Sequence, residues 1–242
     1  MNKTELRLNF SITKECDGVP VIVVAAGNST RMQGINKQFI SVLGVPVLIR
    51  TLMAFEYCDC ISGIVLVVKE SDIFEMQTLC SKYGISKVTD IVCGGNSRQE
   101  SVANGLKRLG EDEEYVLIHD GARPLVNCDI ITSVYSTLKN RSGVTCAVKV
   151  KDTIKEISPD GEVVKTVPRE NLVSVQTPQG VRVKDYKKAI ADLGDISKFT
   201  DDTSIMEAAG FQVFTVEGSY KNIKITTPED IAVAEAYLKE ED

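Results

Sequence analysis

Val19-Pro20-Val21-Ile22-Val23-Val24-Ala25-Ala26-Gly27-Asn28-Ser29-Thr30-Arg31-Met32 is the stretch that decides the fold. Residues 19–26 form a run with no charged or polar side chain, as a strand covered on both faces requires. It ends in small residues and then Arg31, with Lys37 six positions further on. In open α/β sheets ligands bind beyond the carboxyl ends of the strands, and a small-residue turn there exposes backbone N–H groups to phosphate oxygens or a base edge. The spacing is neither G-x-G-x-x-G nor G-x-x-x-x-G-K-[ST], so dinucleotide and P-loop readings fail. The plain alternative is a strand–helix turn carrying two solvated cations.

The rest of the chain repeats the pattern of a short apolar run followed by a helical stretch. Ile64-Val65-Leu66-Val67-Val68 and Tyr115-Val116-Leu117-Ile118 are further buried-strand runs. Between them Ser97-Arg98-Gln99-Glu100 reads as a capping box, followed by Val102, Ala103, Leu106 and Leu109 on one helical face. Thr227-Pro228-Glu229-Asp230 reads as a cap, a first-turn proline and first-turn acid, ahead of a stripe of Ile231, Ala234, Tyr237 and Leu238. The alternation predicts an α/β fold, a mainly parallel sheet with helices on both faces. Lys151–Ile157, Ser158-Pro159-Asp160-Gly161 and Glu162–Val167 break it, reading as a β-hairpin around a turn. A lone hairpin is marginal in water, so it needs either its own domain or a second copy of the chain to rest on; the reading favoured is a projecting arm, about 151–172, that pairs two copies. The expected organisation is a polar arm over 1–18 and one domain over 19–242.

The chain has 242 residues, 43 % apolar and 26 % charged, which excludes disorder as its main state. Its net charge of −6 makes it a poor binder of nucleic acid or anionic membrane, so any phosphate it handles must be met by a few locally placed cations. Seven cysteines, an odd number, lie without a C-x-x-C spacing and are expected as free thiols. Neither a signal peptide nor an apolar run near the ~20 residues of a bilayer span is visible, and the expectation is a cytoplasmic protein.

Further candidate chemistry sits in His119-Asp120-Gly121-Ala122-Arg123-Pro124, after the third run. A carboxylate there suits Mg²⁺, which takes one or two carboxylates plus substrate phosphates, and Arg123 can grip a phosphate in bidentate fashion. The competing reading is Asp120 capping the turn and pairing with Arg123. His119, the one histidine, has no partners for nucleophilic catalysis and reads as structural. Thr177-Pro178-Gln179-Gly180 and Thr200-Asp201-Asp202-Thr203 read as turns and caps, the latter opening a short helix that ends at Gly210. Asn222-Ile223-Lys224-Ile225 reads as a short β-like run, its lysine an edge guard.

Taken in order, Ala25-Ala26-Gly27 with Arg31-Met32, Lys37-Gln38-Phe39, Gly94-Gly95-Asn96-Ser97-Arg98 with Ser101-Val102, His119 to Pro124, Lys151 to Lys155, Gln176 to Gln179, Thr200-Asp201-Asp202 and Asn222 to Thr226 resemble the 2-C-methyl-D-erythritol 4-phosphate cytidylyltransferase family. The resemblance covers roughly residues 19–239. It implies a Rossmann-like nucleotidyltransferase domain with a protruding β-arm, working as a homodimer, and transfer of a cytidylyl group from CTP to a sugar-alcohol phosphate. It implies that Arg31, Lys37 and Lys224 contact the triphosphate, that Asp120 helps bind Mg²⁺, and that Ala25, Ala26, Gly27, Gly95, Asn96 and Ser101 form the cytidine pocket. Arg123, Thr153, Thr177, Thr200 and Lys224 would surround the sugar phosphate, with Arg169 reaching across the dimer. Val24 and Asn36 stand where the family commonly has prolines, and Asn96 where it often has an acid; none removes a needed charge. Two other functions stay open: a pentitol-phosphate (ribitol 5-phosphate type) cytidylyltransferase, and a non-catalytic nucleotide-binding protein.

Overall fold

The structure is a computed structural model that describes residues 18–27 and 38–240. The turn carrying Arg31 and Lys37, and the amino-terminal arm up to residue 17, lie outside the described residues. The first run becomes β1 (Val19–Val24), and the second and third grow into β4 (Ile61–Val68) and β6 (Tyr115–Asp120). β1 lies at the heart of the main sheet, paired in parallel with both. Val21 and Val23 point into one apolar cluster and Ile22 into another on the opposite face, which is why the strand carries no polar side chain. Pro20 is tolerated in this central strand at an irregularity in its register with β4.

Seven strands run in the order β11 (Val213–Glu217), β7 (Gly143–Lys149), β10 (Val173–Arg182), β6, β1, β4 and β5 (Val88–Cys93). All are mutually parallel except β10, which runs antiparallel to both β6 and β7. One face is covered by α1 (Val47–Glu56), α2 (Ile73–Lys82) and α4 (Cys128–Leu138); the other by α3 (Arg98–Leu106), α5 (Val183–Leu193) and α6 (Asp202–Ala208). A third, small cluster joins Val42 and Val47 to Ile225 and to Ala234 of α7 (Glu229–Lys239). Val42 belongs to a two-residue strand, β2 (Ser41–Val42), paired with β3 (Val45–Pro46). The expected hairpin forms as β8 (Ile154–Ile157) and β9 (Val163–Val167), separate from the main sheet, with Ile157, Val163 and Val164 exposed.

Three local expectations are corrected. Thr177-Pro178-Gln179-Gly180 is not a turn: it lies inside β10, where the pairing with β7 skips between Val175 and Gln179 and the Thr177–Pro178 bond is cis. A proline is admitted to a central strand at such an irregularity. Asn222–Ile225 forms no strand; its one ladder-like bond runs from Ile225 N–H to Ala122 C=O (2.8 Å), and burial of Asn222 and Ile225 holds it in place. Thr227 does not cap α7. Instead the Asp230 carboxylate reaches back to the N–H groups of Thr226 (2.7 Å) and Thr227 (2.8 Å). The other caps form as read: Ser97 accepts from Glu100 N–H (3.0 Å), and Asp201 accepts from Ser204 N–H (3.0 Å) at the start of α6.

Candidate active site

The carboxyl ends of β1, β4, β5 and β6 meet at one edge of the sheet. Val24 stands in register with Asp120, Ala25 N–H donates to Val67 C=O (2.7 Å), and Gly94 N–H to Val68 C=O (2.8 Å). A cleft of about 500 Å³ opens there, between Ala26 and Gly27 on one wall, the Gly94–Arg98 turn on another, and Asp120 and Lys224 on the floor. This is where an open α/β sheet places its ligand.

Glycine is required where the turns around this cleft pack closely. A Cβ on Gly94 would collide with Ala26 Cβ and come within 2.9 Å of Ser101 Oγ; one on Gly121 would lie 2.9 Å from Leu48 and 3.2 Å from Val24 C=O. Ser101 is almost fully buried and accepts from Gly95 N–H (3.1 Å) while donating to Ser97 C=O (2.9 Å), so it fixes the glycine turn from beneath. Asn96 lines the cleft, and its N–H is held by Glu100 (2.7 Å). The Ala25 side chain lies in the apolar core and its N–H is spent on β4, while Ala26 and Gly27 line this wall of the cleft.

Asp120 is the electrostatic centre. One carboxylate oxygen meets Arg98 Nε at 3.3 Å; the other meets Lys224 Nζ at 2.8 Å, with Arg123 Nε at 3.7 Å. Burial alone would raise its carboxyl, but the charges of Arg98, Lys224 and Arg123 outweigh that and hold it well below the usual range. Arg123 also donates to Asn222 C=O (2.8 Å), and Asn222 to Thr177 C=O (2.9 Å). The Thr177 hydroxyl accepts from Asp120 N–H (3.1 Å). The irregular stretch of β10 and the 222–225 segment thus serve one purpose: they fix the floor around Asp120.

Arg98 and Asp202 are the residues that sequence reasoning missed. Arg98 reads as an interior position of a capping box, yet its guanidinium spans from Asp120 to Asp202, meeting the latter at 2.7 Å. Asp202 is fully buried and also accepts from the Tyr186 hydroxyl (2.8 Å). The signal available was the adjacent pair Asp201-Asp202. Only one can cap α6; the other enters the first helical turn, where a buried carboxylate demands a cation. Three cations, Arg98, Arg123 and Lys224, therefore surround two carboxylates, a locally positive site in a chain of net charge −6. Arg98 Nη1 has no hydrogen-bond partner among the described residues.

His119 is fully buried, edge-on to Phe55 (4.9 Å between ring centres), with its ring nitrogens 3.1 Å from Thr177 Oγ1 and 3.4 Å from Arg123 C=O. Burial pushes its pKa down to about 3 despite the nearby Asp120 charge, so it is a neutral strut, as the sequence suggests. Thr153, Arg169 and Thr200 are not brought to the cleft within one chain. All three are exposed; Arg169 donates to Lys151 C=O at the foot of the hairpin, and Thr200 immediately precedes the Asp201 cap. Among the described residues no group of three His, Cys, Asp or Glu side chains could hold a metal by itself, and no helix is long and apolar enough to cross a membrane.

A profile of the 2-C-methyl-D-erythritol 4-phosphate cytidylyltransferases matches residues 19–240. The chain belongs to that family. It is 46 % identical over 234 residues to the family's enzyme from Clostridium novyi, covering 94 % of this chain and 98 % of that one. A relative from Halalkalibacterium halodurans is 46 % identical over 224 residues, covering 92 % and 97 %. Among solved structures, the 4-diphosphocytidyl-2C-methyl-D-erythritol synthase of Anaerococcus prevotii superposes with a TM-score of 0.82 at 33 % identity, over 92 % of this chain and 96 % of that one. The α/β nucleotidyltransferase-like fold of the family is the fold described above.

Proposed function

We infer that the cleft at the Asp120 edge transfers a cytidylyl group from CTP to 2-C-methyl-D-erythritol 4-phosphate, releasing pyrophosphate and serving isoprenoid precursor synthesis. Family membership supports the reaction, and the observation that carries its placement is the cluster of Arg98, Arg123 and Lys224 around Asp120 opposite the glycine turns. The attacking atom is an oxygen of the 4-phosphate, and the bond broken joins the α- and β-phosphates of CTP. A phosphate monoester is already ionised near neutral pH, so no general base is needed. That agrees with a site whose one histidine is buried and neutral. Catalysis then consists of positioning and of charge aimed at the oxygens where negative charge builds.

Lys224 is half-exposed on the cleft floor and swings from Asp120 to phosphate oxygens when these arrive. Arg123, anchored by Asn222, holds the sugar phosphate together with Thr177, while Ala26, Gly27, Gly95, Asn96 and Ser101 enclose the cytidine. Arg31 and Lys37 are assigned to the triphosphate by sequence alone. Asp120 is a single carboxylate, a donor set that fits Mg²⁺ carried in by the triphosphate and not a freestanding metal centre. Bound there with the nucleotide, the ion would supply charge neutralisation to the phosphate oxygens. Thr153 and Arg169 act from the hairpin of a second copy; the exposed Ile157, Val163 and Val164 and the marginal stability of a lone hairpin support a homodimer. Free thiols throughout the described residues accord with a cytoplasmic setting.

The test is pyrophosphate release from CTP with 2-C-methyl-D-erythritol 4-phosphate and, separately, with ribitol 5-phosphate. Turnover with the first substrate is expected. Preference for ribitol 5-phosphate would assign the chain to the pentitol reaction instead, and turnover with neither would leave a nucleotide-binding protein.

A further inference from the structure

Away from the cleft, the fold gathers three of the cysteines at one place. Cys58 and Cys60 flank Asp59 in the turn between α1 and β4, and Cys128 is the first residue of α4. Cys58 Sγ lies 2.6 Å from Cys128 Sγ and 3.5 Å from Cys60 Sγ. The shorter separation exceeds the ~2.05 Å of a disulfide bond by only about half an ångström, yet all three thiols are free. Thr132 Oγ1, one turn along α4, lies 3.8 Å from Cys58 and Cys60 and 3.7 Å from Cys128. Cys58 is buried, Cys60 half-buried and Cys128 exposed, so a buried central thiol touches two that solvent reaches.

We propose that Cys58, Cys60 and Cys128 form a peroxide-reactive thiol site whose oxidised product is a Cys58–Cys128 disulfide. Nothing in the cytidylyl transfer uses these residues. Cys60 is the thiol that reacts first. The contact with Cys58, 3.5 Å away, holds the Cys60 pKa down to about 7 against burial, which favours its thiolate. Cys58, raised by that same contact and by burial, stays protonated.

The Cys60 thiolate attacks one oxygen of hydrogen peroxide; the O–O bond breaks, giving Cys60 sulfenic acid and hydroxide. The Cys58 thiol then attacks the Cys60 sulfur, forming an S–S bond and, with its proton, expelling the hydroxyl as water. Cys128 next attacks Cys58, and Cys60 leaves. The thiol of lower pKa is the better leaving group, so exchange runs in this direction. The sum is two thiols and one hydrogen peroxide giving one disulfide and two waters, with Cys60 regenerated. The product ties the turn before β4 to the first residue of α4.

The test uses the full chain, reduced, exposed to hydrogen peroxide, quenched with an alkylating agent and mapped by non-reducing peptide mass spectrometry. The expected result is a Cys58–Cys128 cross-linked peptide that dithiothreitol removes, while Cys93, another exposed cysteine, is still alkylated. Cys60→Ser should slow the cross-link about 10-fold or more, the ratio of thiolate at pH 7 for pKa values of about 7 and ~8.5. Cys128→Ser should stop the sequence at Cys60 sulfenic acid, trapped by dimedone, or at a Cys58–Cys60 disulfide. The proposal is overturned if the folded protein forms no Cys58–Cys128 link, if Cys93 is consumed as fast as Cys60, or if Cys60→Ser cross-links at the wild-type rate. Circular dichroism of each variant separates these outcomes from misfolding.

Discussion

Replacing Arg98 by methionine tests the reading of the site most directly, because one side chain joins the cleft to the interior. Its guanidinium lies 2.7 Å from a fully buried Asp202 carboxylate and 3.3 Å from Asp120. At 2.7 Å and an effective dielectric of ~20, the Coulomb attraction is about 6 kcal/mol before desolvation is subtracted. Removing one member of a buried pair costs ~3–5 kcal/mol, because the survivor is left charged in a poor solvent. The Tyr186 hydroxyl still donates to Asp202 in the variant and keeps the loss near the lower end, about 3 kcal/mol. Replacing both partners, Arg98→Met with Asp202→Leu, removes the stranded charge and should recover much of that loss, giving a coupling of ~2 kcal/mol. The chain has no tryptophan, so urea unfolding is best followed by far-ultraviolet circular dichroism. The reasoning fails if Arg98→Met unfolds within about 1 kcal/mol of wild type, little beyond the ~0.5 kcal/mol scatter of surface substitutions, or if the double variant shows no coupling.

Lys224→Met should lower turnover ~100-fold or more, as loss of one charge-stabilising donor does, while its half-exposed position leaves urea stability nearly unchanged; wild-type turnover in a steady-state assay would remove Lys224 from the machinery. Acid titration should expose His119. Its folded pKa of about 3 lies below the ordinary 6.5, so its contribution is fully present above that ordinary value and is lost as pH falls toward 3. The slope is about 1.4 kcal/mol per pH unit, and a His119→Gln variant measured by urea melts from pH 7 to pH 4 should lack it. The paired substitutions Ile157→Glu and Val164→Glu on the hairpin should halve the mass seen by light scattering without changing the circular dichroism spectrum; an unchanged mass would place the dimer contact elsewhere.

The layered sheet was legible because its signals are local. A run such as Val21–Val24 has one physical use, a strand buried on two faces, and Ser97 and Asp201 announce helix starts through a single short-range bond each. Segments whose conformation is set from a distance were misread. Asn222–Ile225 has the alternation of a strand but is held by burial and by bonds to Ala122, Arg123 and Thr177. Thr177–Gly180 has the composition of a turn, yet strands on both sides take it into the sheet.

The site divides the same way. Sequence alone determined the α/β class, the glycine turns and the roster of charged residues after buried strands, because residue type and near-neighbour spacing carry that information. Only tertiary structure decided which charges meet. Arg98, Asp120 and Asp202 come from three separate elements and Lys224 from an irregular segment, and their pairing depends on distances of a few ångströms set by β10 and the 222–225 segment. Coulomb and hydrogen-bond energies act through space and fall with distance, whereas sequence records only order along the chain.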